Sequence, residues 1–203
     1  MLKLSSVLIV SSLVMPALAM AQASMSVEQK IAEALKGEHR TEAELARDAD
    51  RDPMAALQFI GLRDDMTVIE FLPAAQAYYT KILGPVLVEN GHLMTVDNSN
   101  TFSGWGDWTE EPEFEMTHPV VIENNYSSAE GRYIPGEIEF GVAEADLFLH
   151  FREYHNFNEA DNMRINAKVF DTLKSGGEYV VVDHKRRHMQ PETGVLGRRE
   201  DPV

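Results

Sequence analysis

The sequence contains no cysteine. Disulfide bonds, thiolate metal sites and thiol nucleophiles are therefore excluded, and the stability of the fold has to come from packing of its core. Basic residues are also scarce, with 18 Lys and Arg against 33 Asp and Glu and a formal net charge of -15. Sequence-independent binding to nucleic acid requires clustered basic residues. We therefore expect no nucleic-acid partner, whereas a cationic or neutral ligand is compatible with the acidity.

Long apolar runs are confined to the N-terminus. Lys3 precedes an apolar and serine-containing stretch, residues 4–19, and Ala21-Gln22-Ala23 fits a small-x-small cleavage pattern. The alternatives are a membrane anchor or a buried helix, but the stretch is short for a membrane span. We predict a signal peptide over residues 1–23, export to the periplasm, and no membrane attachment after cleavage. Residues 24–203 are then long enough for one domain.

Residues 24–62 carry the patterns of a helical lead-in. Capping boxes begin at Ser26 and Thr41, and Asp52-Pro53 starts a third helix with proline in its first turn. After this lead-in, apolar strand patterns alternate with helix patterns. Strands are expected at 68–72, 92–96, 145–151 and 178–183, and helices at 75–83 and about 159–174. This order predicts an α/β fold, a three-layer sandwich with a mostly parallel central sheet.

Two expectations concern helices. Gly84-Pro85 should end the helix that follows the first strand, because proline cannot donate to the helical ladder. In the last helix, capped by Asn158, an apolar face of helical spacing is expected to be buried. Its members are Met163, Ala167, Phe170 and Leu173.

Three further expectations concern the connections. Ser175-Gly176-Gly177 predicts a tight turn into the last strand, and residues 124–136 are turn-like. Residues 98–119 form a long polar segment with Trp105 and Trp108. These tryptophans either cover a ligand or anchor the loop to the core.

The most informative segment is residues 67–80, which has the pattern of a buried strand, a tight loop and a helix start. This is the layout of a nucleotide-binding α/β unit, yet the loop contains no glycine. Ligands of parallel sheets bind beyond the carboxyl ends of the strands. That edge is expected to gather residues 70–75, Asp97, residues 152–156 and Asp183-His184.

Several segments, taken together, resemble the class I S-adenosylmethionine-dependent methyltransferase fold, and most closely a group of exported bacterial methyltransferase-like proteins. The resemblance covers most of residues 39–203. Its segments are His39-Arg40-Thr41, residues 47–53, Val68-Ile69-Glu70, Tyr78-Tyr79-Thr80, residues 151–156, residues 169–177 and residues 180–184.

The resemblance implies a binding site for S-adenosylmethionine. The loop after the first strand, with Pro73, Ala74 and Ala75, would lie under the methionine part of the cofactor. Asp97 would accept hydrogen bonds from the ribose hydroxyls, although an ordinary turn aspartate before Asn98 is the alternative. Glu70 is assigned to the cofactor as well, through its amino group or a nearby backbone, and a strand-end carboxylate bonded to loop amides is the alternative. Arg152 is the last residue assigned to cofactor binding.

Two departures from the family pattern are visible. The family's loop is rich in glycine, whereas alanine at a positive φ costs about 1 kcal/mol and its methyl group takes up ligand space. The family fold also continues after the strand that ends near Asp183, with another helix and an antiparallel strand pair. We therefore expect a sheet that lacks the final strand pair.

Methyl transfer requires alignment of the acceptor and exclusion of water, and a base assists when the acceptor is a hydroxyl or a protonated amine. His155 is the candidate base, with Tyr154 and Asn156 beside it; the alternative is a histidine that caps or packs under the next helix. His184, after Asp183, is a second candidate. The spacing of the histidines at 150, 155, 184 and 188 matches no standard ligand pattern, so no metal site is assigned.

The resemblance implies an exported S-adenosylmethionine-dependent methyltransferase acting on an unknown small-molecule acceptor. The alternative is a catalytically inactive ligand-binding protein of the same fold, favoured by the glycine-free loop and by export from the compartment where the cofactor is made. A third hypothesis is a different enzyme on this scaffold that uses His155 and Asp183-His184.

Overall fold

The computed structural model describes residues 24–183. The predicted signal peptide, His184 and His188 lie outside these residues. The helices are α1 (Val27–Ala34), α2 (Glu42–Ala46), α3 (Asp48–Arg51), α4 (Pro53–Ile60), α5 (Thr80–Leu87), α6 (Ser99–Ser103) and α7 (Glu159–Thr172). The strands are β1 (Thr67–Phe71), β2 (His92–Asp97), β3 (Thr117–Val121), β4 (Asn124–Ser127), β5 (Arg132–Pro135), β6 (Ala145–Phe151) and β7 (Leu173–Val182). Short 3-10 turns cover Asp107–Glu110, Pro112–Phe114 and Tyr154–Asn156.

A parallel sheet forms the centre of the fold. Its order is β3-β2-β1-β6-β7, and every pairing in it is parallel. The predicted α/β class is confirmed. From β1 the sheet grows in one direction through β2 to β3, and from β6 it grows in the other direction to β7. This switch point creates a crevice at the carboxyl ends of β1 and β6.

Helices cover both faces of the sheet, as the three-layer prediction requires. On one face, Leu57 of α4 and Leu83 of α5 pack against Val68 and Leu147 of the sheet. On the other face, Val169 of α7 belongs to a second core cluster with residues of β1 and β6. Among residues 24–183, none of the helices has the length and apolar character needed to cross a membrane.

The lead-in helices form where the capping patterns predicted them. The side chains of Ser26 and Thr41 both accept from the third residue of their helix, and Asp52 caps α4 ahead of Pro53. Apolar residues on one side of α1 and α4 join the core on this face of the sheet, with Ile31 and Leu57 almost fully buried.

The expectation that Gly84-Pro85 ends a helix over residues 75–83 is wrong. Helix α5 begins only at Thr80 and contains both residues. Pro85 has no N–H to donate to the carbonyl of Lys81, four residues earlier. The ring of His39 contacts this carbonyl instead, with Nε2 2.8 Å from the oxygen. A side chain from the lead-in thus replaces the missing helical hydrogen bond.

The predicted buried face of α7 is also wrong. Met163 is 66% exposed and Phe170 is 80% exposed. The residues that face the sheet are Ile165, Val169 and Thr172. They share the helical spacing of the predicted set but lie on a different stripe of the helix.

Two connections differ from expectation. Residues 124–136 form an antiparallel hairpin, β4 and β5, in which Tyr126 pairs with Tyr133. The predicted turn at residues 175–177 is an irregularity inside β7, where Ala145 pairs with Leu173 but Leu147 pairs with Glu178. Gly176 takes a φ of 80° there, which a residue without a side chain adopts at little cost.

The orientation of α7 can be tested by a matched pair of substitutions. Ile165→Ala should lower the free energy of unfolding by about 2–5 kcal/mol, because it leaves a cavity against the sheet. Phe170→Ala should change it by less than about 0.5 kcal/mol, because the removed ring is exposed. Urea unfolding of both variants measures the difference, and equal losses would contradict the observed orientation.

Candidate functional site

A cavity of about 300 Å³ lies at the crevice between the carboxyl ends of β1 and β6. Three parts of the chain line it: Arg47 and Arg51 of the lead-in, residues of the segment 70–79, and residues of the segment 151–156. Cavities of this kind at the switch point of a parallel sheet are the usual ligand sites of α/β folds. We take this cavity as the candidate site.

A buried charge cluster holds the lead-in over the cavity. Arg40 binds the Asp48 carboxylate with both terminal nitrogens, at 2.6 and 2.9 Å, and the Tyr78 hydroxyl donates to the same carboxylate at 2.5 Å. These bonds keep the pKa of Asp48 below its usual value, although burial opposes the shift. With its hydroxyl engaged, Tyr78 presents its ring to Arg51, whose guanidinium carbon lies 4.1 Å from the ring centroid.

Positive charge collects at the mouth of the cavity. Arg47, Arg51 and Arg152 all line it. Burial, together with the positive charges of Arg47 and Arg152, lowers the pKa of Arg51. Within residues 24–183, neither Arg47 nor Arg51 forms an ion pair with a carboxylate. The net charge of the chain therefore does not describe this site, which is locally cationic.

The loop after β1 has a strained backbone. Leu72, Ala74 and Ala77 have φ values of 58°, 59° and 49°, in the left-handed region that favours glycine. Arg152, across the cavity at the end of β6, has a φ of 63°. The predicted cost of alanine at positive φ in this loop is thus present. Strained residues of this kind concentrate at binding sites, where surrounding contacts hold them in place.

Asp97 is enclosed by this loop. The carboxylate accepts the N–H of Ala74 at 3.2 Å and that of Asn98 at 2.7 Å, and the residue is 3% exposed. Burial raises its pKa. Trp105 fixes the loop from outside by donating its indole N–H to the Ala74 carbonyl at 3.2 Å. Asp97 does not line the cavity, so the predicted ribose acceptor is covered in this arrangement.

Two carboxyl groups in the cavity wall have raised pKa values. Burial raises the pKa of Glu70 to about 7, against a hydrogen bond from the Thr80 hydroxyl at 2.6 Å. Burial likewise raises the pKa of Glu153, which accepts from the Asn156 side chain at 2.6 Å. Near pH 7 the Glu70 carboxyl is therefore only partly ionised and adds less negative charge to the wall than the composition suggests.

An aspartate–histidine pair stands at the same edge. Nδ1 of His155 lies 2.7 Å from Oδ1 of Asp183, and the backbone N–H of His155 donates to Oδ2 at 2.8 Å. A carboxylate only accepts, so Nδ1 carries the proton and Nε2 has the lone pair. An imidazole oriented in this way can take part in proton transfer, and the role of base for His155 stays a prediction.

The other predicted residues divide between the cavity and its surroundings. Asn156, Pro73 and Arg152 line the cavity with His155, whereas Ala75 does not. Tyr154 is also absent from the lining; its hydroxyl accepts from the Asn166 side chain of α7 at 3.0 Å. Its side chain is therefore directed toward α7 and away from the cavity.

His150 is a core residue. Burial lowers its pKa to about 3, and its ring lies 4.9 Å from that of Phe71. Its Nδ1 is 3.1 Å from the Tyr179 hydroxyl, and its role is to pack the interior of the sheet in the neutral form.

Sequence reasoning missed Arg47 and Arg51 as parts of the site, and it placed Asp183 at this edge without identifying its hydrogen bond to His155. Asp183 precedes His184 in the sequence, but its carboxylate bonds His155, 28 residues earlier. A signal for this pair exists, because both residues directly follow strands that are adjacent and parallel. The arginines gave no comparable signal, since the docking of α2 and α3 over the crevice depends on tertiary contacts.

Comparison with solved structures identifies the fold. A S-adenosylmethionine-dependent methyltransferase from Aquifex aeolicus matches with a TM-score of 0.52 and 16% identity, over 71% of this chain and 76% of that chain. A putative O-methyltransferase from Nostoc punctiforme matches with a TM-score of 0.52 and 15% identity, over 74% of this chain and 43% of that chain. No family model and no curated protein matches the sequence. The chain thus has the class I methyltransferase-like α/β fold.

The raised pKa of Glu70 makes a prediction about stability. Its folded pKa of about 7 lies above the ordinary 4.5, so folding takes up a proton between these values. Stability should therefore fall as pH rises from about 4.5 to 7, by an amount on the order of 3 kcal/mol. Glu70→Gln, which keeps an acceptor for Thr80, should remove this part of the slope. Urea unfolding at pH 5 and pH 7.5 compares the two proteins, and parallel losses would contradict the assignment.

Proposed function

We propose that this chain is an exported, periplasmic S-adenosylmethionine-dependent methyltransferase that acts on a small anionic molecule. One observation carries the proposal. The cavity at the sheet's switch point brings together the loop after β1 and an imidazole oriented by a carboxylate, His155 with Asp183. A methyl acceptor that must lose a proton would find its base there.

The residues on the methionine side of the site leave space for S-adenosylmethionine, whereas Asp97, on the ribose side, is covered. On the side of the methionine part, Pro73 and Ala74 line open space beside Glu70. On the ribose side, Asp97 becomes available only when the long hydrogen bond from Ala74 opens and uncovers one carboxylate oxygen. The residues therefore fit the cofactor after a local movement of the loop.

When bound, the cofactor supplies an electrophilic methyl group. The remaining work falls to the side chains of the cavity. Arg47, Arg51 and Arg152 attract and orient an anionic acceptor, and Nε2 of His155 takes the proton from its hydroxyl or ammonium group. Asp183 keeps the imidazole in the required tautomer and stabilises its protonated form. The long segment with Trp105 restricts access of water to the loop.

The second candidate is a ligand-binding protein of the same fold without transfer activity. The covered state of Asp97 favours it, since both carboxylate oxygens already accept backbone N–H groups. In this case the cationic mouth of the cavity remains the recognition element. Both candidates therefore expect an anionic small molecule, and they differ in whether the cofactor binds.

Calorimetric titration with S-adenosylmethionine and S-adenosylhomocysteine separates the two candidates. Binding is expected for the methyltransferase, with affinity falling at least about tenfold in Asp97→Ala, because the ribose loses its acceptor. Asp171→Ala, a substitution of an exposed acid on α7, is the matched control and should bind like the parent. Absence of heat at millimolar concentrations of both compounds would eliminate the first candidate and leave the second.

The anionic character of the ligand can be tested without the cofactor. A panel of small carboxylates and phosphate esters is screened for a rise in Tm at low salt. At least one is expected to raise Tm, and the rise should shrink with added salt and disappear in Arg51→Gln. Arg63→Gln is the control, because Arg63 is exposed and does not line this cavity. An unchanged response of Arg51→Gln would contradict the proposal.

A further inference from the structure

A second cluster of polar groups lies outside the candidate site, where the lead-in meets the segment after β2. His39, Glu111 and Glu113 each place one potential ligand atom here, and these atoms lie within 4.8 Å of one another. His39 comes from the turn between α1 and α2, and both glutamates flank Pro112. The cluster is therefore assembled from two distant parts of the chain.

The fold fixes the tautomer of His39. Its Nε2 lies 2.8 Å from the Lys81 carbonyl oxygen, which has no helical donor because residue 85 is proline. A carbonyl only accepts, so Nε2 carries the proton and Nδ1 has the lone pair. Histidines that bind metals are held in this way, with the other ring nitrogen donating to a carbonyl or carboxylate.

The Nδ1 atom belongs to a largely buried ring and lies near both glutamates. The His39 side chain is 3% exposed, and Nδ1 lies 3.9 Å from Oε2 of Glu111. Within residues 24–183, Nδ1 makes no hydrogen bond. Phe114 packs edge-on against the ring, with the centroids 5.0 Å apart. Gly37 allows this position, because a Cβ on residue 37 would lie 2.2 Å from the ring.

The carboxylates also lack a cation. Among the described residues, neither Glu111 nor Glu113 pairs with a lysine or arginine. Glu111 is 43% exposed, so solvent reaches the cluster and an ion could enter it. In the part of the chain that the structure describes, these two carboxylates and the imidazole Nδ1 form a set of electron-pair donors with no lysine or arginine between them.

We infer that His39, Glu111 and Glu113 bind a divalent transition-metal ion such as Zn²⁺. One imidazole nitrogen and two carboxylate oxygens are ligand types that zinc accepts at about 2.0–2.2 Å, with water in the fourth position. Binding at these distances would require the glutamate side chains to rotate toward a common point from their present separations of up to 4.8 Å. Soft ions are excluded by the absence of sulfur ligands, and the nitrogen ligand disfavours Ca²⁺ and Mg²⁺.

The ion would join the lead-in to the tryptophan-containing segment. Trp108 packs against Phe114 and against Trp105, with ring centroids 4.8 and 5.1 Å apart. Trp105 in turn holds the Ala74 carbonyl at the candidate site. Metal bound at His39 thus stabilises the contacts that keep the loop after β1 in place, without entering the cavity itself.

Calorimetry with Zn²⁺ on the metal-free protein, in a buffer without chelating groups, tests the inference. One equivalent is expected to bind, with a rise in Tm, and Mg²⁺ and Ca²⁺ at the same concentration should not compete. The double variant Glu111→Gln and Glu113→Gln should weaken binding by at least about tenfold and remove the rise in Tm. Among the described residues, Glu111 has an ion-pair contact with His39 alone and Glu113 has none, so the variant reports on ligation.

The matched control is the double variant Glu110→Gln and Glu115→Gln, which removes the same charge from exposed neighbours in the same segment. His118→Gln controls for binding at a separate pair of neighbouring imidazoles, His92 and His118, whose ring centroids lie 5.9 Å apart. Both controls should retain binding. Loss of binding in either control, competition by Mg²⁺ or Ca²⁺, or undiminished binding in the first variant would overturn the site.

Discussion

The contact between the loop after β1 and Asp97 is the constraint on which the candidate site depends. The Ala74 N–H bonds this carboxylate, and the Ala74 carbonyl accepts the Trp105 indole. Through these two bonds, one residue connects the ends of β1 and β2 to the long segment after β2. The position of this loop defines one wall of the cavity and determines whether Asp97 is covered.

The opposite wall depends on paired charges that have been removed from water. Arg40 and Asp48 are held together beneath α3, and Lys81 binds Glu44 at 2.8 Å with both side chains nearly buried. Breaking such a pair leaves an uncompensated buried charge, which costs about 3–5 kcal/mol. These pairs therefore specify how the lead-in docks, and the docking in turn brings Arg51 to the cavity. The local positive charge results from the packing of an otherwise acidic chain.

The fold was predictable because its signals are local. Continuous apolar strands and capped helices indicated the α/β class, and the residues that follow β1 and β6 were expected at a common edge. The buried face of α7 was not predictable in this way. Ile165, Val169 and Thr172 follow the same spacing as Met163, Ala167 and Phe170. Which of these two sets is buried is decided by how the helix packs against the sheet, and local spacing does not distinguish them.

For the side chains of the site as well, positions along the chain were predictable from the sequence, whereas their partners depend on tertiary contacts. His155 was identifiable from its position after a strand, but its partner Asp183 depends on which strands are neighbours. Tyr154 was assigned with it, yet its hydroxyl bonds α7. The helix after β1 was misplaced because proline normally ends a helix. Here a histidine 42 positions earlier contacts the orphaned carbonyl.

The energetics of the loop bear on whether a covered Asp97 excludes a ligand. Opening the loop breaks the hydrogen bonds of Ala74 with Asp97 and Trp105, each worth about 1 kcal/mol net. It also lets Leu72, Ala74 and Ala77 leave positive φ, where each costs about 1 kcal/mol. The two contributions are of similar size and opposite sign, so the closed and open loops differ by only a few kcal/mol. A ligand that binds with micromolar affinity contributes about 8 kcal/mol, which exceeds this difference. The covered state of Asp97 is therefore compatible with binding of a ligand at this edge of the sheet.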